Sequence, residues 1–527
     1  MNKRYKTPVV AAVAAVVGVV LGFYLIPTNK NHNFTNRGSK IDYILSLIDS
    51  QYVDKVNMDS LQDEAIRGFL ADLDPHSVYM TAEEIQKENE VLQGNFDGVG
   101  IQFRIIEDTI VVLQTINPGP SQRAGIMAGD RIVKVDGKDI TGKGISNDKV
   151  FKLLRGKKGT KVSLTVHRSG INKPINYTLT RAPIPIHSVD YYGMIEKSTG
   201  YIRLSQFTAN SYSEVHSALL KLQAKGAKQL IFDLRGNGGG YLDQAIKIAD
   251  EFLPEDDLIV FTKGRYRGRN DYFASSEGVF EKGKLIVLID ETSASASEIV
   301  SGALQDNDRA MIIGRRTFGK GLVQEQKELP DGSAIRLTVS RYYTPSGRCI
   351  QRPYVSGDPE KYFADFIERY SNMEKHSDTI SHADSLKYKT KKGRIVYGGG
   401  GIEPDVELPY YKYKKSEHYT TLLKKGLIYK YCFDYVDHNR GSFNAYKDGN
   451  DFLERYTVSE GFFGSMLRFA EEQNSTKGKL TEAETREVKQ LMKAYLAQNL
   501  YGDQYFYPSF LKTDEDVLEA LLYFKKM

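Results

Sequence analysis

The chain has no tryptophan and only two cysteines, Cys349 and Cys432, in 527 residues. Two thiols in so long a chain make neither a disulfide scaffold nor a cysteine metal site, and whether they pair stays open. Histidine is scarce as well. The nine present show no His-x-x-x-His spacing, and none stands beside a cysteine pair. No metal and no other cofactor is expected. Charge of one sign is also missing: 72 Lys and Arg face 67 Asp and Glu, interleaved along the chain, for a formal charge of +5. Without a basic stripe, nucleic acid is not an expected partner.

One long uncharged run is present. Lys3, Arg4 and Lys6 precede "TPVVAAVAAVVGVVLGFYLIPT", residues 7–28. Its length fits a bilayer span of about 20 residues rather than a signal-peptide core of about 7–15. A small-x-small pattern occurs only inside the run, at Ala12–Ala14, too early for cleavage. We therefore expect residues 1–6 as a cytoplasmic tail and 7–28 as an uncleaved signal anchor, a cleaved signal being the alternative that stays open. A polar tether follows at 29–38. The positive residues hold the first end inside, so the remainder is expected on the periplasmic or extracellular side.

Residues 39–92 carry apolar positions at helical spacing, with Thr81 as a predicted N-cap and Glu84 three residues on. Residues 93–182 switch to short strands around glycine turns: "FDGVGIQFRII", "GPSQRAGIMAGDRIVKVDGKDI", then a late helix and "KLLRGKKGTKVSLTVHR". Residues 183–409 alternate buried strands with amphipathic helices, which argues an α/β core of mostly parallel strands. A polar insertion interrupts it at about 355–395. Residues 410–527 read as a mainly helical, Tyr-rich region to which the sequence assigns no chemistry. The fold class is thus α/β and multidomain.

Two glycine motifs suggest nucleotide chemistry and fail. "GRRTFGKG" (314–321) matches a phosphate-binding loop until its last position, where glycine replaces the Ser or Thr that ligates Mg²⁺. "DLRGNGGG" (233–240) misses the dinucleotide spacing, because Tyr241 or Asp243 stands where the third glycine belongs. What remains is a glycine run between strand and helix, where backbone N–H groups face outward and suit an oxyanion hole.

The stretch "ETSASASEIVSGALQDNDRAMIIGRRTFGKG" (291–321) sets serines at alternate positions ahead of a lysine between two glycines. Acyl transfer by serine needs a base near neutral pKa. The only histidine in residues 199–350 is His216, on a distant helix. Lysine serves instead where burial brings its pKa well below about 10.4. Standing alone, such a lysine would be a solvated turn residue.

Together, "SASASEI", "TFGKG", "VQ" and "DLRGNGGG" resemble the C-terminal processing (tail-specific) serine peptidases, over roughly residues 40–410. Residues 93–182 resemble a PDZ domain. The resemblance implies a Ser–Lys dyad: Ser295 as nucleophile, Lys320 as general base and Gln324 orienting the lysine. It implies oxyanion donors at the backbone N–H groups of Ala296 and of Gly240 or its neighbour Gly239. Ser293 and Ser297 read as structural, with helix onset and a cap near Ser297. In the PDZ domain the carboxylate-binding loop falls on Gly98, Val99, Gly100 and Ile101. Arg155, after the late helix, is the candidate contact for gating, a solvated arginine being the plain alternative.

The expected partners are protein substrates with unstructured C-terminal tails, and the membrane through the anchor. A homo-oligomer or an adaptor stays open. The rival class is a non-catalytic PDZ scaffold with a degenerate peptidase core, against which the intact trio Ser295, Lys320 and Gln324 argues.

Overall fold

The computed structural model describes residues 39–142, 144–372, 384–409, 415–473 and 478–527. The signal anchor and tether predicted at 7–38 lie outside them. Among the described residues, no helix is long and apolar enough to cross a membrane. Among the described residues, 39–69 form one compact unit, with the helix Ser39–Gln51 and most of the helix Met58–Ala71, and those from Leu70 onward form a second.

In the second unit, a six-stranded sheet runs in the order Val189–Glu196, Thr199–Leu204, Gln229–Asp233, Lys284–Ile289, Met311–Gly314, Val406–Glu407. Only its first pair is antiparallel. Apolar runs such as "LIF" and "LIVLI" are buried, as strands covered on both faces must be. One face packs against the helices Ser211–Ala224, Leu242–Asp250 and Ala296–Asp306. The other is closed by Leu511, Val517, Ala520 and Phe524, most of them on the helix Glu515–Lys526. The C-terminal region is therefore not all separate from the core: the helix Glu515–Lys526 completes the second face of the six-stranded sheet.

A second sheet joins Ala334–Tyr343 to Leu258–Lys263, to Leu322–Glu328 and to Val78–Met80. The predicted helical region of 39–92 thus contains one strand, Val78–Met80, that belongs to this sheet. Thr81 caps the helix Ala82–Leu92 and Glu84 closes the capping box.

The PDZ domain is a sheet in the order Ile101–Ile106, Thr109–Thr115, Arg131–Val135, Lys161–His167, Ile175–Thr180, with the helix Asn147–Leu154 beside it. The chain enters and leaves through Asn95–Gly98 and Ala182–Pro185, which pair with each other. The C-terminal helices touch this domain. Asp503 accepts from Gln102 and Gln114, Asp437 pairs with Arg131 at 2.7 Å, and Arg104 lies over the Tyr429 ring.

Within the predicted polar insertion, the described residues carry regular structure. Pro359–Asn372 is an amphipathic helix with Tyr362 buried, and Lys387–Lys389 pairs with Ile395–Tyr397. Cys349 and Cys432 are free thiols.

Candidate active site

Ser295 sits at the N-cap of the helix Ala296–Asp306 with φ 55° and ψ −111°. That conformation is costly for a side-chain-bearing residue and is typical of strained functional turns. The helix begins at Ala296, within one residue of the onset expected near Ser297, but the cap is Ser295 and not Ser297. Ser297 Oγ instead donates to Asn237 O at 2.9 Å, and Ser293 Oγ donates to Leu234 O at 2.8 Å. The outer two serines fasten the glycine turn while Ser295 between them does not.

The glycine turn lies directly against the nucleophile. A Cβ on Gly239, whose φ is +101°, would stand 2.8 Å from Ser295 Cβ. Gly239 N–H donates to Asn237 Oδ1 at 2.9 Å. Gly240 N–H and Ala296 N–H donate to nothing among the described residues. Of the two glycines left open by the sequence, Gly240 therefore has the unused donor.

Lys320 follows the strand Met311–Gly314 in a loop whose side chain is largely buried. Burial lowers its pKa, and the Arg336 guanidinium lowers it further against the opposing carboxylates of Glu298, Glu88 and Asp74. Glu298, fully buried, joins this loop to the nucleophile. One carboxylate oxygen accepts from Thr317 Oγ1 (2.6 Å) and Gly319 N–H (2.7 Å). The other accepts from Ser295 N–H and Lys320 N–H, both at 2.8 Å. Burial outweighs these donors and raises the Glu298 pKa to about 7. Tyr342 adds a second tie: its buried hydroxyl lies 2.5 Å from Lys320 O and 3.2 Å from Ser295 O. Neither residue was legible as part of the site. The spacing Ser295-x-x-Glu298 is a capping-box signal that points to the first; nothing local points to Tyr342.

Gln324 lies on the strand Leu322–Glu328, just after a register shift between Val323 and Gln324, and its Nε2 donates to Thr338 Oγ1 at 3.4 Å. Among the described residues, no hydrogen bond joins Ser295 Oγ, Lys320 Nζ and the Gln324 carboxamide to one another. Such contacts often tighten only when substrate binds. A histidine does approach the lysine, from far upstream in the sequence. His76 lies in the segment before Val78, and its Nε2 is 3.2 Å from Tyr362 OH. Burial, with the Lys320 charge next, lowers its pKa to about 4, so near neutral pH it is uncharged.

In the PDZ domain, Val99 and Gly100 form the bend between Gly98, which ends one strand, and Ile101, which begins the next. Val99 O and Gly100 O accept from Ser121 and Ile116, whereas their own N–H groups find no partner among the described residues. The strand from Ile101 is a sheet edge. Arg155 is half-buried. It caps the helix Asn147–Leu154, pairs with Glu90 at 2.7 Å and lies over the Phe96 and Phe151 rings. Among the described residues no group of three or more His, Cys, Asp or Glu is placed to hold a metal.

A parallel α/β core with a serine at a strained helix start, a glycine turn against it and a PDZ domain ahead of it defines a PDZ-bearing serine peptidase. Residues 198–360 match peptidase family S41, 98–179 match a PDZ domain, and 26–84 match the activating protease CtpB N-terminal domain. Residues 418–502 match a family of unknown function. The chain is 39% identical to a carboxy-terminal-processing protease of Bartonella bacilliformis, over 67% of this chain and 83% of that one. It is 35% identical to a probable CtpA-like serine protease of Staphylococcus aureus, over 66% and 71%. A solved photosystem II D1 C-terminal processing protease is similar at 27% identity, over 70% and 86%, with a TM-score of 0.36. The chain belongs to peptidase family S41, as a carboxy-terminal-processing serine protease with a PDZ domain.

Proposed function

We propose that the protein is an endopeptidase that captures the C-terminal tail of a protein substrate in its PDZ domain and cleaves through a Ser–Lys dyad. Ser295 Oγ attacks the scissile carbonyl while neutral Lys320 takes its proton. Gly240 N–H and Ala296 N–H receive the oxyanion, and Lys320 then protonates the leaving amine. Water, activated by the same lysine, releases the acyl group from Ser295. The observation that carries this reading is a buried lysine with a lowered pKa, tied by one carboxylate to the backbone of a strained serine. No cofactor has a part in it.

The unpartnered N–H groups of Val99 and Gly100, beside an open strand edge, suit a terminal carboxylate and an added strand. Arg155 fits a gating role, because the helix that carries its partner Glu90 also carries Glu88, which pairs with Arg336 at 2.6 Å beside the lysine. We further propose that residues 7–28 anchor the chain and leave its catalytic part on the exported side. The test is to incubate the full chain with an unfolded protein and sequence the products. Cleavage by wild type, absent in Ser295→Ala and in Lys320→Ala, is expected. Two inert variants beside an inert wild type would favour the scaffold reading.

A further inference from the structure

Gln324 acts in the mechanism only if its carboxamide presents oxygen, not nitrogen, to Lys320, since the two ends of the group are nearly the same size. The lysine ammonium needs an acceptor, and a turned carboxamide would offer it two donors. Something must therefore set which end faces the lysine.

The segment "LDPHS" (73–77), just before the strand Val78–Met80, leads to that device. Asp74 is buried at 6% exposure and its carboxylate receives four donors. Oδ1 accepts from His76 N–H at 2.9 Å, Ser77 N–H at 3.0 Å and Thr338 Oγ1 at 3.0 Å; Oδ2 accepts from Ser77 Oγ at 2.5 Å. Ser77 Oγ in turn accepts from Thr338 N–H at 3.1 Å, and Val78 pairs with Arg336 in the strand that carries Thr338. An ionised carboxylate accepts and cannot donate. The Thr338 hydroxyl therefore spends its single proton on Asp74 and offers its neighbour only a lone pair. That neighbour is Gln324 Nε2 at 3.4 Å, on the adjoining strand where Gln324 faces Thr338. With the nitrogen held on the Thr338 side, the oxygen is left for the other.

We propose that Asp74, acting through Thr338, is a positioning residue that sets the orientation of the Gln324 carboxamide toward Lys320. This rests on the reading of Gln324 as the partner of Lys320. The segment before the PDZ domain thereby contributes to the chemistry of a site that lies after it in sequence.

The experiment compares Thr338→Val, Thr338→Ser, Asp74→Asn and Gln324→Ala in the full chain, with kcat and KM measured across pH and melting followed by circular dichroism. Valine keeps the strand preference and shape of threonine, so this variant is expected to fold. Its kcat should fall on the order of tenfold to a hundredfold with KM little changed, as for a small misplacement of a reacting group. The acid limb of its pH profile should move to lower pH, because the ammonium form loses an acceptor. Thr338→Ser should restore both, and Asp74→Asn, free to donate to Thr338 and reverse the chain, should behave like Thr338→Val. In a Gln324→Ala background, Thr338→Val should add nothing. Wild-type kinetics in Gln324→Ala would overturn the reading of Gln324 itself. An impaired Gln324→Ala beside a normal Thr338→Val or Asp74→Asn, or losses that add, would overturn the positioning role alone.

Discussion

Glu298→Gln isolates the tie between nucleophile and base, because it keeps volume and shape while removing one acceptor oxygen. Four donors converge on the carboxylate, two on each oxygen. A glutamine retains one oxygen, so two buried donors are left facing an NH₂ group. At about 1–3 kcal/mol for each unsatisfied donor the loss is about 2–6 kcal/mol. Against it stands the cost of burying the charge. Raising a carboxyl from 4.5 to about 7 corresponds to about 3 kcal/mol of destabilisation of the ionised form, which the neutral amide does not carry. The terms largely offset, so stability should change by no more than about 3 kcal/mol in either direction. Activity should not survive so well. Whichever pair of donors the amide nitrogen faces, the loop that carries Lys320 loses part of its fastening to the helix that carries Ser295, so kcat should fall on the order of tenfold to a hundredfold.

The pH dependence of stability gives a second readout. Between pH 4.5 and about 7 the folded protein keeps a proton on Glu298 that the unfolded chain has released. Stability from this group is therefore full below the unfolded pKa and is lost as pH rises through the folded one. Calorimetric melting on both sides of that window should show the decline in wild type and a shallower one in Glu298→Gln. Initial rates on an unfolded protein substrate complete the assay. A variant that melts normally and cuts at the wild-type rate refutes the tie; an unchanged slope refutes the buried carboxyl as its source.

Activity should rise with pH as Lys320 loses its proton, with the midpoint below the ordinary lysine value because of burial and Arg336. Arg336→Gln should move that midpoint up, since a cation that disfavours the ammonium is gone, and a pH–rate profile that fails to move excludes this contribution. Amidating a substrate's C-terminus should slow its cleavage below saturation, because the neutral end loses charge-assisted bonds to the Val99 and Gly100 N–H groups. Equal rates for free-acid and amidated substrates would remove the carboxylate reading. Arg155→Ala, which breaks the pair with Glu90, should lower turnover at saturating substrate while tail binding, measured by fluorescence anisotropy, persists.

The α/β core and the PDZ domain were legible because their signals are local: buried apolar strands, glycine turns and amphipathic helices repeat within short windows. Ser295 and Lys320 stood out through spacing and motif. Their surroundings did not, because Tyr342, His76 and Asp74 reach the site through strand pairing across long stretches of chain, which no local pattern encodes. Ser297 was misplaced as a cap for a related reason. Its hydroxyl could serve the helix or the glycine turn, and only tertiary structure decides. Composition alone did not reveal the helix Pro359–Asn372 within the polar insertion, where exposed Glu360 and Lys361 precede the buried Tyr362.

The oxyanion turn also depends on residues far beyond the peptidase motifs. Arg235, between the Asp233 strand and the glycines, binds Asp514 at 2.8 Å and Asp516 at 3.0 Å, and Arg315, before the lysine loop, also reaches Asp516 at 3.2 Å. Those acids begin the helix that seals the far face of the central sheet. Synthesis delivers this helix long after serine and lysine have been made. A growing chain therefore carries both reactive groups without the support that shapes their surroundings, and its proteolytic power should arrive late, with the last helix to dock. Polypeptides broken off before Asp514 should therefore cut less well than the whole chain, even though both reactive groups are already present.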